Sequence, residues 1–171
     1  LAINVVKLLK KHKLVKVSLD NIYSSLSSTK WPGRFQTIAI SPNIIFDVCH
    51  NAESIKMFYN NLNNSTSSST KYLICGFEHN KEIKKELKQI SHIFKVIICT
   101  ETNIRKSMKA EDIQNIFDLS SVYVECIRDP IVAINQAIKY ATNTDEIYII
   151  GSHFFGPFIA KQFKNCFAIE E

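Results

Sequence analysis

From Phe35 to Ile150 short apolar runs alternate with helical patterns, and few architectures accept that rhythm. The runs that read as strands are Phe35 to Ile40, Asn43 to Val48, Tyr72 to Gly76, Phe94 to Cys99, Val122 to Ile127 and Glu146 to Ile150. Between them, Asn51 can cap a helix carrying Ile55, Met57, Phe58 and Leu62. Asn80 can cap a helix over Lys81 to Ile90, and Ala110 to Phe117 makes a short one. Asp129-Pro130 puts proline at a first helical position, ahead of Ile131, Ile134, Ala137, Ile138 and Ala141. Gly151-Ser152-His153 opens the last helix. Strands and helices in this alternation imply a three-layer α/β fold, with a mainly parallel sheet covered on both faces. Ser41-Pro42-Asn43 turns the first strand back into the second, so the sheet gains an antiparallel edge.

The two helices expected ahead of this pattern have no strand of their own. Leu1 to Leu14 places Ile3, Val6, Leu9 and Leu14 on one side, with Lys7, Lys10, Lys11 and Lys13 solvated. Ser18 or Asp20 can cap a second helix with Leu19, Ile22, Tyr23 and Leu26, closed by Ser27-Ser28-Thr29. Residues 1–30 therefore read as the tail of another domain, and residues 31–171 as the α/β domain. With 171 residues, 46% hydrophobic and 22% charged, the chain is long enough for one domain with a proper core. The formal charge of +5 comes mostly from lysines scattered among Asn, Ser and Ile. No basic run is interleaved with aromatics, so no nucleic-acid partner is expected. A signal peptide and an apolar span of about 18 residues are both missing, so a soluble chain with no membrane partner is expected. The five cysteines contain no CxxC pair. Cys75, Cys99 and Cys126 fall in or at the ends of strands as small hydrophobes, which suits a reducing cytosol or organelle matrix and no metal site. The polar run from Asn60 to Ser69 reads as a solvated loop.

Chemistry is expected at one edge. Phe46-Asp47-Val48-Cys49-His50-Asn51 leaves a strand and enters a helix, and ligands of open α/β sheets bind at that carboxyl edge. A carboxylate there can accept from ribose hydroxyls, while a histidine and free helix N–H groups can meet phosphate oxygens. The residues alone leave a second possibility, in which Asp47 and Asn51 only cap the helix and His50 is incidental. Three further loops fall on the same edge: Gly76 to Lys81, the loop around Arg105, and Gly151-Ser152-His153. No GxxxxGK[ST], GxGxxG or GxSxG occurs, which argues against a self-sufficient nucleotidase, dehydrogenase or serine hydrolase.

Four motifs in order carry a resemblance. Trp31-Pro32-Gly33-Arg34-Phe35, Asp47-Val48-Cys49-His50-Asn51, Gly76 ahead of Asn80-Lys81-Glu82, and Gly151-Ser152 resemble the C-terminal part of folylpolyglutamate synthase/dihydrofolate synthase, in the Mur ligase superfamily. The family pattern is WPGR, D-x-x-H-N, a glycine before D-K-D, and a late G-S. Here Asn80-Lys81-Glu82 stands for D-K-D, Cys49 for a small alanine, and His153-Phe154-Phe155 for a more aliphatic continuation. The resemblance covers nearly the whole chain and implies a Rossmann-like domain of the Mur ligase C-terminal type, with residues 1–30 ending a central ATPase domain.

That family phosphorylates a carboxylate of dihydropteroate or of a folate glutamyl tail with ATP. The amino group of L-glutamate then attacks the acyl phosphate, and phosphate leaves. The resemblance implies Arg34 and His50 as catalytic residues, with Arg34, Asp47 and His50 contacting ATP and Lys81 and Ser152 contacting glutamate. Asn51 would hold the turn, and Arg105 is a weaker anion candidate. The P-loop and the magnesium (Mg) ligands would lie in the N-terminal part, so this chain alone would be inactive. A cytoplasmic monomer packed against its own ATPase domain is implied. A Mur-type peptide ligase, usually without the Trp-Pro of Trp31-Pro32, and a non-catalytic nucleotide-facing module are the alternatives.

Overall fold

A computed structural model describes residues 2–64, 67–79, 82–102 and 106–167. The chain divides into two units, Leu1–Trp31 and Pro32–Glu171.

The first unit holds α1 (Ala2–Lys11) and α2 (Leu19–Ser28). Ser18 caps α2 by accepting the Asn21 N–H at 3.0 Å, which leaves Asp20 inside the first turn. Lys13, at φ 58°, ends the first helical stretch, so Leu14 lies beyond α1 and is exposed rather than on its apolar side. Ala2, Ile3 and Val6 line one side of a groove of about 270 Å³, with Val17, Ile22 and Leu26 opposite.

The second unit is built on a six-stranded sheet. In chain order it comprises β1 (Gln36–Ile40), β2 (Asn43–Asp47), α3 (Ala52–Asn63), β3 (Lys71–Cys75), α4 (Lys84–Ser91), β4 (Val96–Cys99), α5 (Ala110–Gln114), β5 (Tyr123–Cys126), α6 (Pro130–Tyr140) and β6 (Glu146–Ile150). A 3₁₀ turn (His153–Phe155) then leads into α7 (Gly156–Gln162). The sheet order is β1-β2-β6-β3-β4-β5, antiparallel only between β1 and β2. The expected three-layer fold with one antiparallel edge is therefore present.

Strand alternation divides the core in two. Ile45, Leu73, Cys75, Ile97, Tyr148 and Ile150 face α3, α4 and α5. Ile44, Phe46, Tyr72, Ile74, Ile98, Ile147 and Ile149 face α6 and α7. Both faces of the central strands are buried, which is why their sequences are almost continuously apolar. A register shift between Thr37 and Ala39 inserts an extra residue in edge strand β1, as bulges commonly do at sheet edges.

Several expected boundaries move for local reasons. In α3, Ile55, Phe58 and Leu62 are buried but Met57 is 64% exposed, because position 57 turns off the stripe that 55, 58 and 62 share. Helix α4 starts at Lys84 rather than Lys81; its cap is the buried Ile83, which makes no side-chain cap bond. Asn80, expected as that cap, lies outside the described residues. Helix α5 stops at Gln114, although Ile116 and Phe117 remain buried in the following turn. Phe94 is buried just ahead of β4, and Gly76 lies just beyond β3. No described helix is long and apolar enough to cross a membrane.

At the amino edge β3 and β6 begin with a largely buried ion pair. Lys71 Nζ lies 3.3 Å from Glu146, and the Tyr148 hydroxyl donates to the same carboxylate at 2.8 Å. Burial alone would push the Glu146 carboxyl up, but Tyr148, Ser67 and Lys71 outweigh it and hold it below its ordinary value. A depressed folded value adds stability above the unfolded carboxylate range, and that stability is lost as pH falls through the folded value. Lys71→Met should therefore cost about 1.5–3 kcal/mol at neutral pH. Denaturant titrations of both proteins at neutral pH and in acid check this, with the gap expected to shrink in acid. An equal gap at both would mean that the pair is not what the acid limb reports.

Candidate functional site

Parallel registers bring the carboxyl ends of β2, β6, β3 and β4 to one level. Asp47 pairs with Ile150, Ile150 with Cys75, and Cys75 with Cys99. The helices α3 and α4 that follow β2 and β3 pack on one face of the sheet, whereas α7, following β6, packs on the other. A strand whose neighbours depart to the opposite face creates a crevice at its carboxyl end. Here that strand is β6, so Gly151 marks the topological switch point of the sheet, between the loops after Asp47 and after Cys75.

Two glycines make this junction possible. Gly151 has φ +116°, and a methyl there would collide with the carbonyl oxygen of Gly76. Gly76 donates its N–H to Ile150 at 3.2 Å, and a methyl there would sit 2.9 Å from both the Phe155 ring and the Thr100 carbonyl. Each glycine of the late motifs is thus small because another part of the edge lies against it.

Arg34 projects from a turn clamped to the loop after β2. Gly33, at φ +71°, accepts the Val48 N–H at 2.8 Å, and a methyl on it would lie 2.6 Å from Val48. Phe35 takes φ +45°, a region that non-glycine residues seldom occupy, and donates its N–H to Asp47 Oδ2 at 2.8 Å. This is why the strand expected from Phe35 begins at Gln36. The Phe35 ring is held 5.9 Å from Phe58 and 6.1 Å from Tyr148, centre to centre. Arg34 itself is exposed, and its guanidinium has no hydrogen-bond partner among the described residues.

Asp47 is more engaged than its motif suggests. Oδ2 accepts from Phe35 and Oδ1 from the Cys49 N–H, also at 2.8 Å, so one carboxylate brackets the Arg34 turn and the histidine loop. One lone-pair direction on each oxygen is left for a further donor. Asp47→Ala should therefore lower stability by about 3 kcal/mol, through two charge-assisted bonds to backbone. Denaturant midpoints of this chain check that value, and an unchanged midpoint would deny the bracket any role in folding.

His50 is oriented by its own loop. Its Nδ1 lies 2.9 Å from the Val48 carbonyl, so Nδ1 carries the proton and Nε2 is the ring's available nitrogen. Its N–H donates to Ser54 Oγ at 3.1 Å. Asn51 caps α3 by accepting the Ser54 N–H at 2.9 Å, and Ser54 Oγ returns to the Asn51 N–H, completing a capping box. Cys49 is buried, and burial first, then Asp47, push its thiol up, so it is no thiolate nucleophile despite the charge of Arg34 nearby.

The structure thus ties the turn that carries Arg34, Asp47 and the His50 loop into one short network through the backbone of Gly33, Phe35, Val48 and Cys49. Ser152 stands one strand away, is 1% exposed, and accepts the Phe154 N–H at 3.2 Å as the cap of the 3₁₀ turn. Any ligand contact it makes starts from a buried hydroxyl. Lys81 and Arg105 lie outside the described residues. Gln36, whose side chain bonds the Gly33 N–H at 2.8 Å, is a member of the network that the motifs do not flag. Its only sequence signal is its place two residues after Arg34. Among the described residues no three His, Cys, Asp or Glu side chains gather as a metal nest.

Residues 33–153 match the Mur ligase, glutamate ligase domain profile, which begins at the Gly33 turn and ends just past Ser152. The chain belongs to this family. It is similar to a dihydrofolate synthase/folylpolyglutamate synthase of Buchnera aphidicola subsp. Baizongia pistaciae, at 24% identity, over 88% of this chain and 36% of that protein. The Escherichia coli protein of the same name is 25% identical, over 58% of this chain and 24% of its own length. Among solved structures, the bifunctional folylpolyglutamate synthase/dihydrofolate synthase of Yersinia pestis, complexed with AMPPNP and a Mn ion, superposes with a TM-score of 0.75 at 23% identity. It covers 86% of this chain and 35% of that one. Mycobacterium tuberculosis folylpolyglutamate synthase complexed with ADP and AMPPCP gives 0.75 at 15% identity, over 87% and 36%. The glutamate ligase domain described here spans about a third of the length of those folate ligases.

Proposed function

We propose that this domain is the C-terminal part of an ATP-dependent ligase that adds L-glutamate to dihydropteroate, to folate polyglutamate, or to both. The observation that carries the proposal is the Asp47 bracket. It holds the turn of an exposed arginine and the loop of an oriented histidine together at the carboxyl edge, inside the stretch that matches a glutamate ligase profile. The relatives named above are folate ligases, which favours folate over peptide acceptors.

In this reading ATP passes its γ-phosphoryl group to the substrate carboxylate and ADP departs. The glutamate amine then attacks the acyl carbon, and inorganic phosphate leaves. Arg34 can neutralise charge growing on the transferred phosphoryl oxygens with a planar fork of N–H donors. His50 Nε2 faces the phosphate side, and the remaining lone pairs of Asp47 face the ribose. Lys81 and Ser152 are assigned to the incoming glutamate. ATP fits the cationic and N–H groups of this edge. Magnesium would supply charge neutralisation between phosphates, held by ligands in another part of the enzyme. Residues 1–30 are assigned to the end of a central ATPase domain against which the edge closes, in a cytoplasmic monomer.

No P-loop occurs in these 171 residues, so the chain alone should release no ADP from ATP. The same chain extended upstream to include an ATPase domain should release ADP only with glutamate and a folate or pteroate acceptor. A coupled ADP assay on both proteins checks this. Robust folate-dependent ATPase from the 171-residue chain would overturn the division of labour.

A further inference from the structure

Gln36, at the start of β1, is half-buried and uses both ends of its side-chain amide. Its Oε1 accepts the Gly33 N–H at 2.8 Å, and its Nε2 donates to the Cys166 carbonyl at 2.7 Å, 130 residues downstream. A neutral amide offers an acceptor and a donor from one planar group, so glutamine satisfies both partners where ionised glutamate or leucine cannot.

These bonds bear directly on Arg34. The peptide group before Gly33 is held by Gln36, the one after it by the Val48 N–H, and the one after Arg34 by Asp47. Three consecutive peptide groups are therefore anchored, and the Arg34 Cα has little freedom between them. Asp47 grips this turn from the β2 side. Gln36 grips it from the other side and ties it to the C-terminal segment, where Phe167 packs edge-on against Phe46 with ring centres 6.1 Å apart. Phe163, Cys166 and Phe167 also pack on the core beneath β2.

We propose that Gln36 is a positioning residue for Arg34, relaying the packing of the C-terminal segment to the turn that carries the guanidinium. The proposal rests on the reading of Arg34 as a phosphoryl contact. Gln36 touches no substrate; it fixes where the fork stands, and a group misplaced by about 1 Å can lose a hundredfold in rate.

Two measurements test it. In the 171-residue chain, hydrogen exchange at the Gly33 amide should lose protection in Gln36→Leu and keep it in Gln36→Glu, which retains the acceptor. Unchanged protection in Gln36→Leu would overturn the anchoring. In the full-length ligase, Gln36→Leu should lower kcat about ten- to a hundredfold, leaving KM for ATP little changed, and Gln36→Glu, which keeps the bond to Gly33 but loses the one to Cys166, should recover only part of the loss. The double variant Arg34→Ala/Gln36→Leu should be no slower than Arg34→Ala alone, since a positioning residue has nothing left to position. Normal turnover in Gln36→Leu beside a slow Arg34→Ala would overturn the relay and spare the reading of Arg34. Normal turnover in Arg34→Ala would remove that reading, and the relay with it.

Discussion

Gly151→Ala should destabilise the α/β unit by about 2–5 kcal/mol and lower its melting temperature by about 10 °C. Two penalties combine at this position. Its backbone sits at φ +116°, which a Cβ-bearing residue occupies only under strain. The methyl would also collide with the Gly76 carbonyl, a backbone atom that cannot swing aside like a side-chain tip. Moving it means displacing Gly76 and Phe77 after β3 or bending the end of β6, both of which are buried. Gly156→Ala supplies the control. A methyl there meets open space, the backbone is helical at φ −48°, and the change should be neutral or slightly stabilising. Thermal melts of the two variants beside the parent check the contrast. Equal melting temperatures would show that the junction of β6 with the loop after β3 does not depend on the close approach of its two glycines.

Arg34→Ala should do the opposite, sparing the fold and removing activity. Arg34 is exposed and its guanidinium has no hydrogen-bond partner among the described residues, so stability should stay within about 0.5 kcal/mol. On the proposed function, kcat of the full-length ligase should fall about a hundred- to a thousandfold, the usual loss when one preorganised donor to a developing anionic charge is removed. Arg34→Lys should recover only part of it, because an ammonium keeps the charge and loses the fork. Steady-state kinetics in ATP and glutamate, beside melting of each variant, separate the two effects. Unchanged turnover with a lowered melting temperature would reassign Arg34 to scaffolding.

The order of elements was readable because buried parallel strands leave a plain record. Tyr72 to Cys75 and Ile147 to Ile150 are apolar on both faces, since helices cover both sides of the sheet. Asn51 and Asp129 were equally legible, because a helix cap is satisfied within three residues of chain. Boundaries slipped where tertiary contacts overrode local pattern. Phe35 has a strand-forming side chain, yet the bond from its N–H to Asp47 holds it at φ +45° and starts β1 one residue later. Ile83 displaced the expected cap of α4, because a buried anchor decided where that helix could begin.

Local sequence therefore determined the strands, most helices, the single antiparallel edge and the ordered motifs that place Arg34, His50, Gly76 and Ser152 in loops and Asp47 at a strand end. Each depends on residues near in the chain or on a period that repeats along it. Tertiary structure alone decided that β6 would sit between β2 and β3, and so which loops would meet. It also decided that Asp47 would hold backbone with both oxygens, that Ser152 would be buried, and that Gln36 would reach Cys166. The bonds from Phe35 to Asp47 and from Gln36 to Cys166 join groups 12 and 130 residues apart, and a hydrogen bond across such a loop has no local periodicity to announce it.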